Sequence, residues 1–497
     1  MIKKFSPIDS LKINSVKYKN YIAVETDNKK YSYKEFWIAI RFIASMLLKI
    51  KKKPLVVIIG EKGFLTYASM FGVLLAGGTY VPISINTPLK RICKIISLLK
   101  SNMIICPDKY KFYLKKKFYK ANIFSEKNIS LKKKVGISFN KIQISRLAYI
   151  IFTSGSTGTP KGVCISREAL NHYTKWLTKK LKMKPGKKCS QFSEIGFDLS
   201  VADIFGTFYS GATLIPAISK YANIFPGRFI KEKKITHLVC VPSLIDVMNN
   251  AKDLKKNNLK SLEKIFFCGE PLLKSQVSSL FKAKKTLEIF NAYGPTEATV
   301  SCTYKKLSFS NFKKFSLTSM SVGKAIPGMK IQLQKKKHSL NENEGEILIS
   351  GIQLADGYFE NKKDIGKFFF HKNRKLYRTG DYAIKRKGEI YFKNRIDSQV
   401  KIKGHRIELD EIDYSLREIG YKNVSTVVAK SNIITFITNT KKINSCKINK
   451  KLSYSLPEYM LPSYFVRIKH LPINANGKIN KKQLTKNAAK MLSKNEK

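Results

Sequence analysis

A chain of 497 residues exceeds what one hydrophobic core usually supports, so at least two domains are expected. Hydrophobic residues make up 43%, ordinary for a soluble globular protein, and the longest apolar runs, Pro54 to Gly60 and the glycine-interrupted Phe71 to Ile83, fall short of the roughly 18 residues of a spanning helix. The net charge of +60 rests on 82 lysines against 12 arginines spread along the whole chain, a pattern closer to the codon bias of an AT-rich genome than to a nucleic-acid reader, which uses arginine forks heavily.

In chain order, apolar periodicity predicts a helix over Tyr33 to Lys49, a strand over Leu55 to Ile59, a helix over Thr66 to Ala76 and a strand over Tyr80 to Ile83. The alternation continues through a strand at Leu147 to Phe152, a helix at Glu168 to Leu181, and strands at Thr213 to Pro216 and His237 to Val241. A helix at Ser243 to Asn249 and strands at Lys264 to Cys268 and Leu287 to Phe290 follow. Strands alternating with helices indicate parallel α/β sheets. Beyond about residue 320 the texture changes to short strands with turns (Lys330 to Gln334, Gly345 to Ser350, Tyr382 to Lys385, Glu389 to Phe392), which indicates an antiparallel sheet or small barrel. About 100 residues of α+β character remain after Asp397. The expected fold is therefore a large α/β domain over 1–396, carrying a small β-barrel-like subdomain, and a small mobile α+β domain over 397–497.

Compartment follows from what the ends and the thiols lack. The N-terminus is basic but has no 7–15-residue apolar core of a signal peptide. The eight cysteines are scattered, without CxxC or Cys/His ligand spacing, so free thiols and no structural zinc are expected. A cytoplasmic protein without membrane insertion is the reading. Whatever the origin of the charge, it would steer acidic partners.

The densest chemical signal is Tyr149 to Val163, YIIFTSGSTGTPKGV. An apolar strand runs into a loop of hydroxyl and glycine residues: Thr153, Ser154, Gly155, Ser156, Thr157 and Gly158, closed by Lys161. Backbone N–H groups in such a concavity attract anions. The spacing is neither a Walker A motif nor a dinucleotide fingerprint. A Ser/Gly-rich surface turn is the bland alternative, though few such turns carry both a leading apolar strand and a trailing lysine.

Further segments follow in order: GFDLSVADIFGTFYSGATLIP from Gly196, FFCGEPL from Phe266, NAYGPTEATV from Asn291, YRTGD from Tyr377, KNRIDSQVKIKGHRIELDEID from Lys393 and NGKINKKQL from Asn476. Together with the loop they resemble the adenylate-forming (AMP-binding) superfamily in its amino-acid-activating branch. The chain looks similar to the adenylation domains of nonribosomal peptide synthetases, and closer still to stand-alone D-alanine–D-alanyl carrier protein ligases, over about residues 15 to 485. Segments Leu74 to Pro88 and Leu456 to Pro462 resemble structural landmarks of the same family.

The resemblance implies a reaction that needs no enzyme nucleophile: a carboxylate joins the α-phosphate of ATP and pyrophosphate leaves, so positioning and charge stabilisation carry the catalysis. It implies that the loop from Thr153 to Lys161 holds the departing phosphates. Thr296 would donate to the α-phosphate, Glu297 would hold Mg²⁺, and Gly294 and Pro295 shape that turn. Tyr293 would stack on adenine, with Asn291, Ala292 and the backbone at Gly269 framing the ring. Asp381 would accept from the ribose hydroxyls beside Arg395. Lys478, on the turn Asn476–Gly477–Lys478, would reach the oxygens bridging carboxylate and phosphate. Taken singly, Tyr293 reads equally as core filler, Asp381 as a helix cap and Arg395 as a surface ion pair.

By the same resemblance Asp198 selects the substrate class. A carboxylate in an apolar run is expensive to bury alone, and the α-ammonium of an amino acid is its natural partner; structural capping or pairing is the alternative. Leu199, Ala202, Cys240, Phe266, Cys268, Ala292, Val300 and Ser301 align with pocket-lining positions. Ala202 and Ala292 depart from the D-alanine ligase pattern, where bulkier residues stand, so a side chain larger than methyl is admitted. Cys268 reads as packing rather than reactive. Asp397 matches the family's interdomain hinge, and Asn394 stands where the family usually has Gly. Only 19 residues follow Lys478, too few for a carrier domain. The implied partner is thus a separate phosphopantetheinyl carrier protein, which would be acidic. An acyl- or aryl-CoA ligase and a non-catalytic nucleotide-binding protein are the competing functions; Asp198 speaks against the first, and Glu297, Asp381 and Lys478 against the second.

Overall fold

A computed structural model describes residues 6–129, 138–139, 142–155, 158–335, 343–360, 366–396, 399–402, 404–438, 443–473 and 479–494. The chain divides into two compact units: 1–85, 101–151 and 162–396 form one, and 86–100, 152–161 and 397–497 form the other.

The larger unit is built on parallel sheets. Among the described residues, a nine-stranded sheet has at its centre the mutually parallel strands Glu288–Tyr293, Lys264–Phe267, His237–Cys240, Lys188–Gln191, Thr213–Pro216 and Ile22–Glu25, in that spatial order. Antiparallel strands close its edges. A seven-stranded sheet runs in the order Gly357–Tyr358, Lys161–Ser166, Leu147–Thr153, Thr79–Ser84, Leu55–Gly60, Met103–Ile105, Asn122–Phe124. The helices Tyr33–Leu48, Phe64–Leu75, Arg167–Leu181 and Leu199–Ser210 bury their apolar faces between these sheets in one continuous core. Tyr33–Leu48 starts where it does because Ser32 and Glu35 form a reciprocal capping box. A five-stranded antiparallel sheet (Met329–Gln334, Glu344–Gly351, Phe368–His371, Arg374–Arg386, Glu389–Arg395) completes the unit.

Several expected strands are longer in the structure. Leu287 to Phe290 becomes Glu288–Tyr293, because pairing with Thr303–Leu307 continues through Asn291, Ala292 and Tyr293. Tyr382 to Lys385 is the end of the 13-residue strand Arg374–Arg386. Its Thr379–Gly380 stretch is absorbed as a register shift against Glu344–Gly351, with Gly380 N–H donating to Glu346 Oε1 at 3.0 Å.

The smaller unit contains the helix Leu89–Leu99 and the loop 152–161. It also holds the hairpin Gln399–Ile402/His405–Glu408, the helix Leu409–Glu418 and a three-stranded sheet of Val424–Ala429, Asn432–Ile437 and Tyr464–Arg467. Among the described residues two small apolar cores support it, one about Ile407, Ile412 and Leu452, the other under the helix Lys481–Lys494. Arg91 and Glu411 form a buried ion pair in this unit. None of the eight cysteines is in a disulfide, and seven of them are buried. Among the described residues no helix is long and apolar enough to cross a membrane.

Candidate active site

The larger unit gathers its polar side chains where parallel strands end. Cys240 terminates His237–Cys240, Cys268 and Gly269 follow Lys264–Phe267, Asn291 to Tyr293 terminate Glu288–Tyr293, and Glu194 to Asp198 follow Lys188–Gln191. The carboxyl edge of an open parallel sheet is where such folds bind ligands, since side chains and loops from neighbouring strands converge there.

Tyr293, Asp381 and Arg395 form one buried hydrogen-bonded group. The Tyr293 hydroxyl donates to Asp381 Oδ2 at 2.6 Å, and Arg395 Nη1 donates to Asp381 Oδ1 at 2.5 Å. Arg395 Nη2 also donates to the Thr379 carbonyl at 3.1 Å, and Asp381 lies opposite Arg395 across two paired strands. Burial, reinforced by the Asp381 carboxylate, pushes the Tyr293 phenol well above its usual range. Asp381 is in a strand and caps no helix. Arg395 is mostly buried, so its pair is no loose surface contact. Two in-protein donors leave Asp381 with further lone pairs for ligand hydroxyls.

Beside this group, Asn291 is 1% exposed. Its Nδ2 donates to the Met320 and Ser321 carbonyls at 3.3 and 2.9 Å, which fixes the amide orientation, and its Oδ1 has no partner among the described residues. A buried acceptor left open is costly unless a ligand donor meets it. The exocyclic amine of adenine is such a donor, so Asn291 fits a nucleotide base.

The turn after Tyr293 approaches its own return strand closely. A Cβ at Gly294 would stand 2.6 Å from Ser301 Cα and 2.9 Å from the Val300 carbonyl oxygen, so only glycine fits. Pro295 then leads a single 3-10 turn over Thr296–Ala298. Thr296 and Glu297 are both buried; Glu297 Oε1 accepts from the Tyr358 hydroxyl at 2.7 Å, and its carbonyl accepts from Ala355 N–H at 2.8 Å. Thr299 and Val300 follow with φ of 54° and 69°. Two consecutive β-branched residues in the left-handed region are strained. A magnesium ion at a nucleotide needs only one or two carboxylates besides water and phosphate oxygens, and Glu297 fits that demand.

Asp198 sits at the start of the helix Leu199–Ser210, half-buried, and its side chain makes no capping hydrogen bond. Asp198, Cys268 and Ser301 all lie within electrostatic reach of the buried Tyr173 hydroxyl, and Asp198 also of Tyr149. Cys268 Sγ contacts the Val300 carbonyl at 3.5 Å. Leu199, Ala202, Cys240, Phe266, Ala292, Val300 and Ser301 are all buried. The expense of burying a carboxylate in this apolar run falls on Asp203 rather than Asp198. Asp203 is fully buried, neither of its oxygens has a hydrogen-bond partner among the described residues, and burial raises its pKa well above the carboxylate range despite the nearby Lys62.

In the smaller unit, the hydroxyl-rich loop is held by backbone groups of the C-terminal segment. Ser154 Oγ donates to the Arg406 carbonyl at 2.9 Å and accepts from Glu408 N–H at 3.2 Å. Gly158, at φ 69°, donates to the Gly155 carbonyl at 3.0 Å, and Lys94 Nζ donates to the Gly158 carbonyl at 2.8 Å. A Cβ at Gly158 would meet the Tyr414 ring at 2.5 Å. Thr153 ends its strand and Lys161 opens the next. Ser156, Thr157, the expected hinge Asp397 and the expected catalytic Lys478 lie outside the described residues.

Sequence reasoning missed Tyr173, Tyr358 and Asp203. Only Asp203 carried a signal, as the second acid of the same apolar run; the other two reach the site from distant elements.

A model of the AMP-binding enzyme family matches residues 11–359. The D-alanine–D-alanyl carrier protein ligase of Listeria monocytogenes serovar 1/2a is 30% identical over 466 residues, covering 89% of this chain and 90% of that protein. Gramicidin S synthase 1 of Brevibacillus brevis is 29% identical over 485 residues, covering 94% of this chain and 43% of that protein. Among solved structures, the Vibrio cholerae adenylation domain AlmE in complex with glycyl-adenosine-5'-phosphate aligns with a TM-score of 0.85 at 24% identity, over 97% of this chain and 98% of that one.

Proposed function

Given that the chain belongs to the AMP-binding enzyme family and is an ATP-dependent, AMP-forming ligase, we propose that it activates a small amino acid as aminoacyl-AMP and passes it to the phosphopantetheine thiol of a separate carrier protein. D-alanine is the first candidate, from the similarity to D-alanine–D-alanyl carrier protein ligases. Ala202 and Ala292 leave room for a somewhat larger side chain. The observation that supports the reading is the placement of Asp198: a half-buried carboxylate at the start of the helix Leu199–Ser210, grouped with Cys268, Ser301 and Tyr173 beside the carboxyl edge of the sheet.

The roles follow from the chemistry of each group. Asn291 accepts from the adenine amine and the Tyr293 ring packs on the base, a contact worth about 1–3 kcal/mol. Asp381, already oriented by Tyr293 and Arg395, accepts from the ribose hydroxyls. Thr296 donates to the α-phosphate, and Glu297 would hold a magnesium ion, which would supply charge neutralisation at the phosphates. The loop Thr153–Lys161 receives pyrophosphate, and Lys478 donates to the oxygens at the reacting centre. Asp198 pairs with the substrate ammonium and so aims the carboxylate at the phosphorus. Asp397 is proposed as the hinge between domains 1–396 and 397–497, and the basic chain suits an acidic carrier in the cytoplasm.

The test is ATP–pyrophosphate exchange with both enantiomers of the common amino acids, and with fatty and aryl acids alongside. Exchange confined to small amino acids, followed by loading of a phosphopantetheinyl carrier, is the expected result. Exchange only with acids that lack an amine would overturn the assignment of Asp198 and leave an acyl- or aryl-CoA ligase.

A further inference from the structure

Gln353 is fully buried in the larger unit and directs its side-chain amide at the turn that carries Thr296 and Glu297. Its Nε2 donates to the carbonyls of Ala298 (3.3 Å), Thr299 (3.3 Å) and Ser301 (3.1 Å), so two N–H groups are shared among three acceptors. Its Oε1 is 3.1 Å from His172 Nδ1, and its own carbonyl accepts from Thr299 Oγ1 at 2.7 Å. The turn so gripped contains the two strained residues, Thr299 and Val300. Strain of this kind persists only where the surroundings over-determine the backbone.

We propose that Gln353 is a positioning residue for nucleotide binding: its amide holds the Thr296–Ser301 turn in the strained form that presents Glu297 and Thr296. The proposal rests on the adenylation reading of that turn. Without the amide, the Ala298 and Ser301 carbonyls lose this donor and the Thr299 carbonyl keeps the Ser301 N–H at 2.8 Å, so Thr299 and Val300 relax toward negative φ, which rotates Glu297 away from its place.

The experiment uses the full chain with Gln353→Leu and with Gln353→Glu, the latter keeping the shape but replacing the donor amide with an acceptor. Asn14→Leu is the control, because it removes another buried amide that bridges two carbonyls, those of Phe208 and Tyr209. Mg·ATP binding is measured by calorimetric titration without amino acid, amide hydrogen exchange is followed over residues 297–302, and thermal midpoints are recorded. Both Gln353 variants are expected to weaken Mg·ATP binding about 10–100-fold, as loss of a supporting contact typically does, and to speed exchange in that segment. Asn14→Leu is expected to lower the midpoint with nucleotide affinity unchanged. Adding Thr299→Gly to Gln353→Leu should recover at least about threefold in affinity, since glycine adopts positive φ without strain. Wild-type affinity and wild-type exchange protection in both Gln353 variants would overturn the proposal alone. A wild-type protein that binds no Mg·ATP would overturn the adenylation reading with it.

Discussion

The hydroxyl of Tyr293 and the guanidinium of Arg395 hold opposite oxygens of Asp381, at 2.6 and 2.5 Å, in a site where the carboxylate is 1% exposed. Tyr293 therefore serves twice in the proposed chemistry, as a ring for the base and as an orienting donor for the ribose acceptor. Tyr293→Phe keeps the ring and removes the donor. The KM for ATP in pyrophosphate exchange should rise about 10–150-fold, the cost of one hydrogen bond to a charged group, with kcat changed little. An unaltered KM would mean that Arg395 alone fixes Asp381.

Asp198→Asn preserves size and removes charge. With the ammonium unpaired, KM for the preferred amino acid should rise by about 10²-fold or more while KM for ATP stays near wild type. A variant with equal rises in both constants would point to a general collapse of the pocket instead.

Lys478→Ala should reduce adenylate formation about 10²–10³-fold, the usual loss on removing a preorganised donor at developing charge. The thermal midpoint should be unaffected. Near-normal exchange by this variant would refute the role, and with 82 lysines in the chain neighbouring side chains make a suitable control set.

Asp413, on the helix Leu409–Glu418, has its carboxyl pushed up to about 6 from 3.8, mainly by burial, against the opposing pull of Thr426, Lys481 and Arg417. A raised folded-state pKa means that the native chain keeps a proton the unfolded chain has released. The contribution to stability is full below about 3.8 and is lost as pH rises through 6. Asp413→Asn abolishes this titration, so its unfolding free energy should match wild type near pH 4 and exceed it above pH 6, by on the order of 3 kcal/mol at most, with the thermal midpoint moving in the same direction. Calorimetric scans from pH 4 to 8 read the difference; a gap independent of pH would disprove the linkage.

Much of the architecture was legible because it is local. The strand Thr213–Pro216 matches its expected bounds, and the helices Tyr33–Leu48 and Arg167–Leu181 match to within one residue at each end, since apolar period and capping residues mark them in the sequence. Strand ends at the site were harder to read. Asn291 and Tyr293 look like turn residues, yet cross-strand pairing to Lys305 and Thr303 keeps them in the ladder. The apolar setting in sequence points to Asp198 as the costly carboxylate, but the helix that begins there leaves Asp198 half-buried and drives Asp203 into the core.

The sequence by itself determined the alternation of strands and helices, the order of the adenylate-forming segments and the residue types able to bind a nucleotide, because each depends on neighbours within a few positions. Tertiary structure alone decided which distant groups meet: Tyr293 with Asp381, Tyr358 with Glu297, and Gln353 with three carbonyls of one strained turn. Those partners lie some 50 to 90 positions apart in the chain. No local pattern encodes such a meeting; it exists only once the parallel sheet and the antiparallel sheet are packed and every buried donor must find an acceptor.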